Sequence, residues 1–311
     1  MRIDLHTHTT ASDGLLTPTQ LVRRAVRERI SVLALTDHET LAGLPEATRA
    51  ARGKALTIIP GIELAFSFGG IELHLLGLGV RRAHPTLRAL LAKHTRSRVE
   101  RLDRTVRTLR RAGFFITAND VERRAAGQIG RPHIAQTLLA DPHNRAALKK
   151  RLGRSPLTVS NVIVALMSPG ARTYVARWMP TPQQVINAVH RSGGLAILAH
   201  PQGLASISFH GVKDWHARLQ QIARLGLDGL EVYAYGQTRT ARQALRRFAK
   251  THGLLVSGGS DYHSERIHRH QRIGYAAPGL PLEARTAMSF PRKPTAAELR
   301  PWLASLHFIH P

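Results

Sequence analysis

RIDLHTH, residues 2–8, is a short apolar run of β type that ends on two imidazoles, His6 and His8. Histidines at i and i+2 of a strand point to the same side, so the pair can share one metal ion. Five further runs repeat the plan. VLALTDH (32–38) brings Asp37 and His38, IIPGIE (58–63) brings Glu63, GIELHLLGL (70–78) carries His74, LAILAH (195–200) ends on His200, and LLVSGGSDYH (254–263) ends on Asp261 and His263. Apolar strands that deliver imidazoles and carboxylates at their C-terminal ends describe the working rim of a parallel β/α barrel. The chemistry this implies is metal-dependent hydrolysis.

Working outward, LDGLEVYA (227–234) supplies a seventh strand that ends near Glu231. Between the strands lie helical patterns, the signature of stacked βα units. Thr17 can cap a helix with Pro18 at its first position, and Thr181 with Pro182 repeats the device. The expected fold is α/β: a distorted seven-stranded (β/α) barrel, one strand short of the usual eight, with a helical insert domain. The barrel is expected to comprise residues 1–80 and 181–311. Residues 81–180 show 3.6-residue periodicity and no convincing strand, so they read as the insert, between the fourth and fifth strands. In its first helix Val99, Leu102, Val106 and Leu109 form an apolar stripe, expected in the core. Arg98, Arg101, Arg104, Arg107 and Arg111 cover the rest and are expected in solvent. Breaks at Asp141-Pro142 and Ser155-Pro156 divide the insert into short helices. A last helix is expected near Ala296 to Leu303.

The 311 residues include no cysteine, which excludes disulfides and thiolate metal sites and leaves imidazole and carboxylate as the strong ligands. Neither a signal peptide nor an apolar run of membrane-spanning length is evident, so a cytoplasmic monomer without membrane attachment is expected. Lys and Arg outnumber Asp and Glu by 45 to 20, a formal charge of +25. Residues 81–180 hold 21 of the bases and 5 of the acids, so the insert carries most of the excess. A basic surface beside a phosphate site suits nucleic acid, although 38 of the 45 bases being Arg also fits a bias in genomic composition. No DNA-reading fold is apparent, so sequence-specific DNA binding is not expected.

Single histidines are mostly satisfied or exposed side chains, and His84, His94, His143, His190, His210, His216, His252, His268, His270, His307 and His310 are read that way. Asp13, in the turn Ser12-Asp13-Gly14, taken alone is an ordinary turn residue. Position separates the rest. Six histidines and at least three carboxylates on one rim exceed the four to six ligands of one ion, so two or three ions sharing a bridging carboxylate are implied, with Glu63 as the candidate bridge. Divalent manganese, zinc or iron fits such ligands.

The succession HTHT, SDG, TDH, GIE, an internal strand histidine, AHP and SDYH resembles the polymerase and histidinol phosphatase (PHP) superfamily of metal-dependent phosphoesterases, across nearly the whole chain. Within it, the insert segment Gly130-Arg131-Pro132-His133-Ile134-Ala135 is similar to bacterial enzymes that remove the 3′-phosphate from nucleoside 3′,5′-bisphosphates and trim RNA from a 5′-monophosphate end. The resemblance implies three metals: one on His6, His8, Glu63 and Asp261, one on Glu63, His74 and His200, and one on Asp13, His38 and His263. The expected mechanism is in-line attack on phosphorus by a metal-bridging hydroxide, since coordination lowers the pKa of water, with manganese the first choice of ion. Arg-Pro-His at a helix start is commonly a plain helix N-terminus. With the resemblance added, Arg131 and His133 become candidates for holding the substrate phosphate, since Arg binds phosphate oxygens bidentately and a helix N-terminus adds N–H donors. His133 or a metal-bound water would protonate the leaving oxygen. Two rivals stand beside this reading. One is another phosphoesterase of the superfamily, such as a histidinol-phosphate phosphatase or a proofreading exonuclease; the other is a non-catalytic nucleic-acid-binding barrel.

Overall fold

A computed structural model describes residues 1–125, 127–201, 215–265, 271–277, 280–285 and 296–308. His210, His268, His270 and His310 lie outside the described residues. The chain divides into two compact units, Met1–Leu91 with Met179–Pro311, and Ala92–Trp178.

Seven strands form one sheet in sequence order: β1 (Arg2–Asp4), β2 (Ile30–Leu35), β3 (Thr57–Phe68), β4 (Ile71–Leu78), β5 (Leu195–Leu198), β6 (Gly229–Ala234) and β7 (Leu255–Gly259). The ring is brought nearly to closure beyond β1. Leu5 N–H donates to the Gly258 carbonyl at 3.1 Å, His8 N–H to that of Tyr262 at 2.9 Å, and Thr7 bridges Tyr262 in parallel. The described helices are α1 (Pro18–Arg27), α2 (Leu44–Ala50), α3 (Pro85–Arg111), α4 (Ala118–Glu122), α5 (Arg131–Ala140), α6 (Pro142–Leu152), α7 (Val159–Met167), α8 (Pro182–Arg191), α9 (Trp215–Ala223), α10 (Arg239–Thr251) and α11 (Ala296–Ser305). None is long and apolar enough to cross a membrane.

Thr17 and Thr181 do cap their helices, each in a reciprocal box with the Gln three residues on, Gln20 and Gln184. This satisfies N–H groups that a helix start leaves without partners. Leu21, Val22 and Ala25 of α1 then pack on Ile30, Leu33 and Leu35 of β2, while Val185, Ile186 and Val189 of α8 pack with Leu75 to Leu78 of β4 and Leu195 to Leu198 of β5. Fully burying one such side chain contributes about 1.5–3 kcal/mol.

β4 departs from the parallel expectation. It pairs antiparallel with both β3 and β5. The cause is local: Phe68 and Ile71 face each other across Gly69 and Gly70, both at positive φ, a two-residue hairpin turn that turns the chain back on itself.

The second unit is helical, and no strand occurs among its described residues. Its core joins Leu102, Val106 and Leu109 of α3 to Ile134, Leu138, Leu148, Val162 and Leu166. Two expectations for α3 are corrected. Val99 is 47% exposed and lies off the buried stripe, while Arg101 is buried at 9% exposure. An arginine side chain has an apolar methylene stem that packs well where its guanidinium head finds polar partners. Asp141 caps α6 and Thr158 caps α7, so the first break is a helix start and the second lies in the connection between α6 and α7.

Candidate metal centre

Glu63 lies at the middle of the candidate centre because β3 outruns β2. Leu35, the last β2 residue, pairs with Pro60, and the chain continues through Gly61 and Ile62 to Glu63, which bridges His38. A Cβ on Gly61 would stand 2.6 Å from the Leu35 carbonyl oxygen, so this approach requires glycine. The Glu63 side chain is fully buried. Its Oε1 lies 2.9 Å from His74 Nδ1 and 3.0 Å from His200 Nε2; its Oε2 lies 3.1 Å from His38 Nδ1, 3.2 Å from His8 Nε2 and 3.3 Å from His6 Nε2.

Each imidazole arrives by a definite local route. His6 and His8 alternate with Thr7, whose hydroxyl donates to the Ala34 carbonyl at 2.6 Å, so the histidines take the opposite face. His74 pairs across from Ala65, two residues beyond Glu63, and shares the Glu63 face of the hairpin. This is why a strand of reversed direction still reaches the rim. His200 and Asp261 both take positive φ, +27° and +51°, a conformation uncommon outside glycine. Asp261 Oδ1 lies 3.2 Å from Nε2 of both His6 and His8, and Asp13 Oδ1 lies 3.3 Å from His263 Nε2.

All nine residues singled out as ligands in the sequence thus meet in one place. Three groups keep their ligand atoms within 4.8 Å of one another: His6, His8, Glu63 and Asp261; His8, Asp13, His38 and His263; and His38, Glu63 and His74. The first is the expected set. The others differ from it in that His8 joins Asp13 and that His38, as well as His200, faces Glu63.

These donors suit divalent cations on more than proximity. Glu63 Oε2, Asp13 Oδ1 and His38 Nδ1 are buried without a hydrogen bond, although ring nitrogens surround them. A cation would satisfy buried oxygens and nitrogens that crowd together in this way without hydrogen-bond geometry. With the protein's own charges alone, burial disfavours every charged form, and opposite charges overcome it at most positions. Asp261 and Glu63 hold His8 up to about 10, and Glu63 holds His74 up to about 9. Glu63, Asp13 and Asp261 are in turn held well below the carboxylate range by the surrounding imidazoles. At His38 burial wins, only partly offset by Glu63 and Asp13, and the ring is pushed down to about 4.

Residues around the ligands hold them in place. Asp37 accepts from Thr9 N–H at 2.7 Å, Thr9 Oγ1 at 2.8 Å and Ser12 Oγ at 2.6 Å, and so fastens the loop that carries Asp13. Asp4 accepts from Ser260 N–H and hydroxyl and from Gly274 N–H, tying β1 to the segment that carries Asp261. Glu231, fully buried on β6, lies 3.0 Å from His6 Nδ1. Sequence reasoning passed over Asp4 and Glu231. The available signal was a carboxylate inside an otherwise apolar strand, which is rarely left without a partner.

Arg131 and His133 belong to the second unit, at the start of α5. His133 Nδ1 accepts the Gly130 N–H at 3.0 Å, the capping role a plain helix start would give it. The ring therefore carries its proton on Nε2. Arg98, Arg101 and Arg131 line one small cavity with Ile129, Gly130 and Ile134.

Residues 4–145 match the PHP domain family. The chain is 34% identical over 267 residues to a 5′-3′ exoribonuclease of Haemophilus influenzae, covering 84% of this chain and 90% of that one. It is 31% identical over 271 residues to a 3′,5′-nucleoside bisphosphate phosphatase of Chromobacterium violaceum, covering 84% and 87%. Among solved structures, a metal-dependent phosphoesterase from Bifidobacterium adolescentis superposes with a TM-score of 0.74 at 30% identity, covering 87% of this chain and 90% of that one. With the ring of histidines and carboxylates on a seven-stranded barrel, these likenesses establish that the chain belongs to the PHP family of metal-dependent phosphoesterases.

Proposed function

We propose that this protein removes the 3′-phosphate of nucleoside 3′,5′-bisphosphates and trims short 5′-monophosphorylated RNA from its 5′ end, as a cytoplasmic monomer. The observation that carries the reading is Glu63, one buried carboxylate within 3.3 Å of nitrogens from five imidazoles, a donor set that would hold divalent cations. The names of the Haemophilus and Chromobacterium relatives support the two halves of the substrate range.

The ligands we assign are His6, His8, Asp13, His38, Glu63, His74, His200, Asp261 and His263, for two or three divalent cations, manganese first and zinc or iron as alternatives. Such cations supply Lewis acidity toward the phosphoryl oxygens and a water nucleophile that is acidic near neutral pH. The chain's own residues do the rest. Glu63, Asp13 and Asp261 place negative charge where cations must sit, and the buried rings fix its position. Arg131 holds the substrate phosphate by paired N–H donors, and the basic helical insert contributes to substrate binding in this way. His133 donates from Nε2 to a phosphate oxygen. Because its Nδ1 already accepts the Gly130 N–H, a second ring proton would set two hydrogens face to face, so we assign His133 to phosphate binding and not to protonation of the leaving group.

The test is release of phosphate and nucleotide by manganese-loaded protein from adenosine 3′,5′-bisphosphate, a short 5′-phosphorylated RNA and histidinol phosphate. AMP and phosphate from the first, and stepwise 5′ nucleotides from the second, are expected. Turnover of histidinol phosphate alone, or none of the three, would overturn the assignment.

A further inference from the structure

β6 supplies none of the candidate ligands, yet it sends one carboxylate into the centre. Every residue of Gly229–Ala234 is buried, and the register with β7 slips between Glu231 and Tyr233. A bulge of this kind re-aims a side chain, here at Glu231. The space it enters exists because position 259 has no Cβ: one built there would stand 2.7 Å from Glu231 Oε1 and 2.2 Å from His6 Cβ.

Glu231 makes two contacts that bear on the ligands. His6 Nδ1 lies 3.0 Å from Oε1 and 3.2 Å from Oε2, while the opposite ring nitrogen of His6 faces Glu63 at 3.3 Å and Asp261 at 3.2 Å. A carboxylate can only accept, so Nδ1 keeps a hydrogen for Glu231, and Nε2 is the nitrogen left to give up its hydrogen to a cation at the centre. The Oε2 atom also accepts the backbone N–H of His200 at 2.7 Å, where φ is +27°. An amide held at its own residue's uncommon φ by a buried acceptor is held in one orientation.

The geometry points to Glu231 as a positioning residue of the metal centre, one that selects the Nε2-ligating form of His6 and locks the backbone that presents His200. The inference rests on the metal-centre reading above. A carboxylate behind a ligating histidine orients the ring and raises its basicity, and loss of such a partner typically costs 10–100-fold in metal affinity. In Glu231→Gln the shape is kept, but one of the two acceptor atoms becomes an NH2 that meets either the His6 or the His200 hydrogen.

The experiment compares zinc binding by wild type and Glu231→Gln, by competition with a chromogenic chelator, and records ring 15N shifts of the zinc-loaded proteins. We expect the variant to keep the wild-type far-UV circular dichroism and to bind zinc about 10–100-fold more weakly. In wild type, His6 should show a protonated Nδ1 and a coordinated Nε2. Should Glu231→Gln fail to fold, Glu231→Asp, which keeps the charge but shortens the reach, carries the same expectation. Wild-type zinc affinity in a folded variant, or His6 bound through Nδ1, would overturn the assignment; so would a variant that loses thermal stability but leaves affinity and ring shifts unchanged. A wild type that takes up no zinc would remove the metal centre itself, a separate and visible failure.

Discussion

Exchanging Glu63 for Gln removes the charge that five imidazole nitrogens surround, and it should abolish metal content and activity together. The expected loss in turnover is at least about 10²–10³-fold, the scale on which losing one electrostatic stabiliser acts. Metal analysis after purification checks it, and a Glu63→Gln protein that keeps both would exclude the bridge. Arg131→Ala should behave differently, raising KM by roughly 10–100-fold with metal content unchanged, since a lost bidentate charge pair is worth a few kcal/mol. Steady-state kinetics beside metal analysis separate the two cases. At this scale the sequence was highly readable, because His-x-His, Asp-His and Asp-Tyr-His end apolar runs and an ionisable group there demands a partner. Glu231 and Asp4 escaped because each stands within or beside a strand as a lone acid, and their partners His6 and Ser260 are 225 and 256 residues away.

Among the elements, the helix starts were legible to the residue. Thr17-Pro18 and Thr181-Pro182 carry their capping chemistry in the adjacent sequence, and both caps form. Thr181→Ala should therefore cost about 1 kcal/mol. In a chain of this size that lowers Tm by about 2–4 °C, measurable by calorimetry, with metal content untouched. An unchanged Tm would mean that packing of Val185, Ile186 and Val189 alone secures α8. Strand direction was less legible. An apolar run reads the same forwards and backwards, so the sequence puts His74 among the rim residues without giving the direction of its strand. The Gly69-Gly70 pair between two β-type runs was the hairpin signal that could have corrected it. Val99 and Arg101 were exchanged for a related reason: periodicity gives the buried arc of a helix, and its edges depend on what packs there.

For the whole molecule, the cluster couples protons to metal. In chelated protein His8 and His74, held up to about 10 and about 9, are charged at neutral pH, whereas a ligating ring must be neutral. Binding therefore expels protons, and affinity should rise with pH until about 9 to 10. The stability of the chelated protein runs the other way. A raised folded-state pKa contributes stability that is complete below the unfolded value of 6.5 and is lost as pH climbs through the folded values of about 9 and 10. Calorimetry with and without manganese should show the chelated Tm falling between pH 7 and 10 while the increment from manganese grows; an increment independent of pH would contradict the linkage. The tie from Asp4 to Ser260 closes the ring with two residues 256 positions apart. At a synthesis rate of about 5–20 residues per second, the ribosome needs roughly 10–50 s to deliver the second after the first. During that interval His6, His8 and Glu63 wait for Asp261, the ligand that completes their group, so that group is whole only once β7 and the segment after it have been made.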